Sequence, residues 1–153
     1  MGIKKIYCFL ITIIFLSCTS QDSIKSKIQG NWYLTYESVS DHYGEFFIDS
    51  NRICYYHEFK EKYECNGYII KENKLYLKRK TKNDSLDYMG LISIKNNLLV
   101  IDNTDGGGKF SKQLLKPNLE DLIHQKIKLS VFYEGYTIRA ANWEESKLKS
   151  LNQ

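Results

Sequence analysis

The sequence predicts a mainly β fold, an antiparallel up-and-down meander of about eight strands closing into a β-barrel, with a helical segment at the C-terminus. Three observations carry that expectation. Between residues 31 and 115, apolar and aromatic side chains recur with a period of two in short segments, the spacing of strands that bury one face. The breaks between these segments carry turn chemistry at roughly ten-residue spacing. Beyond Pro117, the one proline of the chain, the apolar period becomes helical.

The expected strands are Asn31 to Val39, Glu45 to Asp49, Arg52 to His57, Tyr63 to Ile70, Lys74 to Lys80, Leu86 to Ile94, Leu98 to Asp102 and Lys109 to Leu115. Stretches such as Asp49-Ser50-Asn51, Lys71-Glu72-Asn73 and Lys95-Asn96-Asn97 separate them. Connectors this short cannot make parallel crossovers, so neighbouring strands must run antiparallel. A meander of eight strands hides its edges by closing on itself, which leaves an interior wide enough for side chains or one small ligand. After Pro117, Asn118 is a good N-cap, Glu120 and Asp121 favour the positive end of a helix, and Leu119, Leu122, Ile123 and Ile127 keep helical spacing. A helix is expected from 118 to about 125. Residues 127–139 read in two ways. Ile127, Leu129, Val131 and Tyr133 alternate as in a strand, while Leu129, Phe132, Tyr133, Tyr136, Ala140 and Trp143 form one helical stripe. Gly135 and the β-branched residues count against a single uninterrupted helix, so helix is expected after Gly135, with its body over residues 140–149.

The N-terminus carries an address. Two lysines, Lys4 and Lys5, precede an apolar run from Ile6 to Leu16 that only Thr12 interrupts. Eleven helical residues rise about 16 Å, roughly half of a bilayer's hydrocarbon core. A cleaved signal peptide fits that length better than a permanent span. The run ends in Phe15-Leu16-Ser17-Cys18, which resembles the lipobox of bacterial lipoproteins, with Phe15 where that family prefers Leu. The resemblance implies removal of residues 1–17, a lipid on Cys18, and a membrane-anchored life in the cell envelope, at the outer membrane or periplasmic side. The other reading of Cys18 is an ordinary thiol beside a plain cleavage site. Residues 18–27 then read as a polar tether and 28–153 as the folded domain, although one or two turns of helix from Asp22 or Ser23 are an alternative. Cleavage removes two of the 22 basic residues and none of the 18 acidic ones, leaving +2. That weak balance argues against a nucleic-acid partner.

Once Cys8 has gone with the signal peptide and Cys18 is acylated, Cys54 and Cys65 remain as a pair. If Glu58-Phe59-Lys60-Glu61 is a four-residue hairpin loop, His57 faces Lys62, Tyr56 faces Tyr63, and Cys54 lies opposite Cys65. A disulfide is therefore expected, ahead of two free thiols. A metal site ranks last, because no further Cys or His stands at ligand spacing.

Ile28-Gln29-Gly30-Asn31-Trp32-Tyr33-Leu34 resembles the Gly-x-Trp entry strand of lipocalins and their bacterial relatives. The resemblance implies a lipocalin-like barrel in which Gly30 turns the chain into the first strand and Trp32 closes one end. The family's Thr-Asp-Tyr motif, and its late Arg packed on the Trp, are not evident. Twelve tyrosines are the other unusual feature. Tyr36, Tyr55, Tyr68, Tyr76 and Tyr88, with Trp32, are the candidate ligand-binding residues, since a Tyr ring offers apolar area with a polar handle. The bland reading is that Tyr fills half-buried strand positions. Catalytic signatures fail: His42, His57 and His124 are scattered, and Gly106-Gly107-Gly108-Lys109 lacks the first Gly and the Ser or Thr of a phosphate loop. The expectation is a non-enzymatic binding module, without cofactor or metal, for a small apolar or amphipathic ligand. The alternative is an exported interaction protein that blocks a toxin or hydrolase by surface contact.

Overall fold

The computed structural model describes residues 24–35, 37, 41–78, 85–104 and 107–151. Eight strands follow one another as β1 (Gly30–Leu34), β2 (Glu45–Ile48), β3 (Arg52–His57), β4 (Lys62–Lys71), β5 (Lys74–Lys78), β6 (Leu86–Lys95), β7 (Leu98–Asp102) and β8 (Gly108–Lys112). Each pairs antiparallel with the next, and β8 returns to β1 to complete a closed barrel. Two helices follow, α1 (Leu119–Ile123) and α2 (Leu129–Leu151).

Parity decides what enters the barrel. Trp32 of β1, Ile48 of β2, Ile53 of β3, Tyr68 of β4, Leu75 of β5, Ile92 of β6 and Leu99 of β7 form the interior core with Ile28. The residues between them point outward, and on β2 and β3 the outward face is also apolar. Phe47, Cys54 and Tyr56 pack there against Leu119, Leu122 and Ile123 of α1 and Phe132 and Tyr136 of α2. The helical segment is thus a lid on the outer wall, and each apolar face of β2 and β3 has its own partner.

The β3–β4 hairpin has the expected register, with His57 opposite Lys62, Tyr56 opposite Tyr63 and Cys54 opposite Cys65. The two cysteines are disulfide-bonded, with Cα atoms 4.0 Å apart. Asn118 caps α1 as its side-chain oxygen accepts from the Asp121 backbone N–H at 3.1 Å.

Four boundaries depart from expectation by more than two residues. β1 ends at Leu34, whose carbonyl is taken by Trp143 Nε1 of α2 at 2.8 Å, and residues 36, 38 and 39 of the expected strand lie outside the described residues. β8 ends at Lys112, where Gln113 turns to accept the Leu115 backbone N–H and lead the chain away toward α1. The folded body starts before residue 28: residues 24–27 form a helical turn, with Ile24 packed on the interior core. Finally, α2 runs unbroken through Gly135. A Cβ there would stand 2.9 Å from both Pro117 Cγ and Arg139 Nη1, so glycine is what allows the helix this close to the α1 entry.

Candidate ligand-binding site at the barrel mouth

Alternating strand direction sorts the connections into two ends. The turns at 49–51, 72–73 and 96–97 share one end with the chain entry at Ile28 and Gly30. The β3–β4 turn shares the other with the segments joining β1 to β2, β5 to β6 and β7 to β8.

The first end is closed. Trp32 is 1% exposed and donates its indole N–H to the Ile28 carbonyl at 2.7 Å. Lys112 lays its ammonium 4.0 Å from the Trp32 ring centroid and donates to the Gln29 carbonyl. Burial lowers the Lys112 pKa. Tyr68 fills the adjoining space and donates its hydroxyl to the Asp49 carbonyl at 3.0 Å. Burial, then the Asp49 charge, pushes its phenol up to about 12.

The other end holds a cavity of about 390 Å3. Ile53, Leu75 and Ile101 form its apolar depth, and Leu34, Phe46, Leu77, Met89 and Phe110 its walls. Phe46 and Phe110 meet edge to face with centroids 4.8 Å apart. Polar groups gather on the β3–β4 side. Tyr55 accepts from Asn66 Nδ2 at 2.5 Å, and its ring stands edge-on to His57 at 5.2 Å. Burial leads the causes that raise the Tyr55 phenol pKa. His57 Nε2 lies 3.4 Å from Glu64 Oε2 without hydrogen-bond alignment, and this shielded nitrogen has no hydrogen-bond partner among the described residues. The Lys62 ammonium, 2.8 Å away, holds the Glu64 carboxyl below its usual range. An apolar chamber with polar groups on one side suits a ligand with an apolar body and one polar end.

A second cleft, of about 600 Å3, lies outside the barrel between α2, β1 and β8. Its polar groups serve the fold. Arg139 is held by Glu45 at 2.7 and 3.2 Å and by the Pro117 carbonyl at 2.8 Å, while Gln113 Nε2 donates to Tyr43. Tyr43 in turn donates to Glu45 at 2.5 Å. This cleft is the seam that attaches α2.

Of the residues named from sequence, Trp32 closes the floor and Tyr55 stands in the mouth. Tyr68 is interior, but packed at the closed end. Tyr76 and Tyr88 are corrected: they pair with each other on the outer wall, centroids 5.5 Å apart, because Leu75 and Leu77 take the inward parity of β5. Tyr36 and Cys18 lie outside the described residues. Sequence reasoning missed Phe46, Phe110, His57 and Met89; propagation of the Trp32 parity through the strand register would have recovered the first three, whereas Met89 has the opposite parity to Ile92 and turns inward only through the register shift where β5 pairs with β6. Among the described residues, no group of three or more His, Cys, Asp or Glu side chains could hold a metal ion. No protein-family model, curated protein or solved structure matches the chain, so function is argued from the site.

Proposed function

We propose that this protein is a non-catalytic binding module, anchored to the cell envelope by a lipid on Cys18, whose barrel mouth takes one small apolar or amphipathic ligand. The mouth cavity carries the reading. It is apolar in depth, has polar groups on one side, and falls in the size range of small-molecule sites. The lipocalin resemblance gains support from Lys112, a cation late in the chain that stacks on Trp32 as the family's Arg does. Native mass spectrometry of residues 18–153 with Cys18→Ser, purified from cells, tests the reading. A stoichiometric small-molecule adduct is expected. A protein with no adduct that also acquires none from a panel of fatty acids, lysolipids and quinones contradicts it.

The anchor has its own test. Cys18→Ala should abolish palmitate labelling and release the protein from membranes, and labelling that persists would contradict a lipid on Cys18.

One observation favours the second reading, an interaction protein. Phe59 is wholly exposed at the tip of the β3–β4 hairpin, which the Cys54–Cys65 disulfide braces. A protein partner that co-purifies with the native chain but not with Phe59→Ala would move the function to that tip.

A further inference from the structure

The closed end of the barrel is chemically unlike the mouth. Lys27, Lys71, Lys74 and Lys95 are exposed there, with Lys25 half-buried over the Tyr68 ring. Of the acids at this end, Asp49 is engaged by Arg52 at 2.9 Å, Glu120 accepts from Asn31 Nδ2 at 3.2 Å, and Glu72 stands between Lys71 and Lys74. The mouth instead carries Glu58, Glu61, Glu64 and Asp87 beside Lys60, Lys62 and Lys78. Two leucines stand out where the chain leaves β8 at the closed end: Leu114 is 82% exposed and Leu115 62%. Leu114 borders a cleft of about 900 Å3 whose other walls include Lys27, Asn96, Asn97 and Leu98.

The path of the chain gives these features a common partner. Ile24, where the described structure begins, packs at the closed end, and 23 residues precede it, including the apolar run 6–16 and Cys18. Six residue steps separate Cys18 from Ile24, and six extended residues span at most about 20 Å. Attachment through Cys18, or through the run before it, therefore brings the bilayer to the lysines and not to the mouth. We infer that the closed end is a docking surface for an anionic phospholipid bilayer. Its lysines meet the headgroups, Leu114 and Leu115 enter the interface, and the mouth is held facing away. The inference rests on the N-terminal attachment proposed above and is independent of what the mouth binds. Each lysine near an anionic surface strengthens docking about fivefold, with a reach of roughly one Debye length.

The test places a reporter at each end of the full chain, reconstituted into vesicles with brominated acyl chains. Leu114→Trp reports the closed end and Phe59→Trp the mouth; both positions are exposed, so neither change disturbs the core. Measured as the difference from the native chain, whose Trp32 and Trp143 set the background, docking predicts that Leu114→Trp emission is quenched in phosphatidylglycerol vesicles, much less in phosphatidylcholine vesicles, and that Phe59→Trp emission is quenched in neither. Adding Lys71→Gln, Lys74→Gln and Lys95→Gln should weaken docking on the order of a hundredfold and return Leu114→Trp to its phosphatidylcholine level. If the chain floats with both vesicles but Leu114→Trp is unquenched in the anionic ones, docking is overturned while attachment stands. Quenching of Phe59→Trp would overturn it as well. If the chain does not float with phosphatidylcholine, the attachment reading fails. Flotation with phosphatidylglycerol alone, lost in the triple variant, would then still support docking, and flotation with neither overturns it.

Discussion

Glu45 and Arg139 lie 94 residues apart in sequence and meet under α2 with side chains 1% and 6% exposed. Nothing in the local pattern announces such a pair, because each residue reads alone as a surface charge. Once buried, its two members depend on each other. Arg139→Met should cost about 3 to 5 kcal/mol, because it strands the Glu45 carboxylate, while Glu45→Leu with Arg139→Met should recover most of that loss. Urea unfolding of both variants checks this; a single variant within about 1 kcal/mol of the native chain contradicts it. Gly135 makes a related point. Alanine should gain about 1 kcal/mol of helix propensity, yet its Cβ meets Pro117 and Arg139 at 2.9 Å, so Gly135→Ala should lower the urea midpoint. The same sequence signal that argued against a continuous helix here reflects close packing instead.

At the scale of elements, the β3–β4 hairpin was legible because its information is local: a polar loop, flanking alternation, and two cysteines equidistant from the turn. Its disulfide closes a short loop, worth about 3 kcal/mol in the chain-entropy model, so reduction should lower the urea midpoint by that equivalent. No change on reduction would show that the hairpin needs no brace. α2 was half legible, since residues 129–133 satisfy both periods and only the outward apolar face of β2 and β3 selects the helix. The α2 seam also gives the fold an alkaline limit. Burial, then the Glu45 charge, raises the Tyr43 phenol well above its ordinary value; burial, then the charges of Glu58 and Glu45, raises that of Tyr136. These phenols stay neutral in the fold while the unfolded chain ionises near pH 10. Their contribution is therefore complete below pH 10 and is lost as pH rises from there past 12. Phenolate absorbance should show a late alkaline step coincident with loss of near-ultraviolet ellipticity. A single smooth titration with the fold intact would contradict that seam.

For the whole molecule, closure was legible from strand number and short connectors, since eight antiparallel strands have one economical way to hide two edges. The cavity was not. Whether a barrel is filled depends on side-chain volumes summed around a ring of strands, and tyrosine count was a poor guide: Tyr76 and Tyr88 face out, while phenylalanine and aliphatic side chains wall the mouth. A fluorescence titration of N-phenylnaphthylamine, an apolar probe, tests the mouth most directly. It would use residues 18–153 with Cys18→Ser, and two tryptophan variants of the same protein. Ile101→Trp fills the mouth, and Leu91→Trp adds the same bulk on the outer wall, where Leu91 is 47% exposed. The account predicts saturable one-to-one binding that Ile101→Trp weakens at least tenfold and Leu91→Trp leaves unchanged, with both variants folded by circular dichroism. Equal binding by all three proteins, or none by the parent, would contradict a ligand in the mouth.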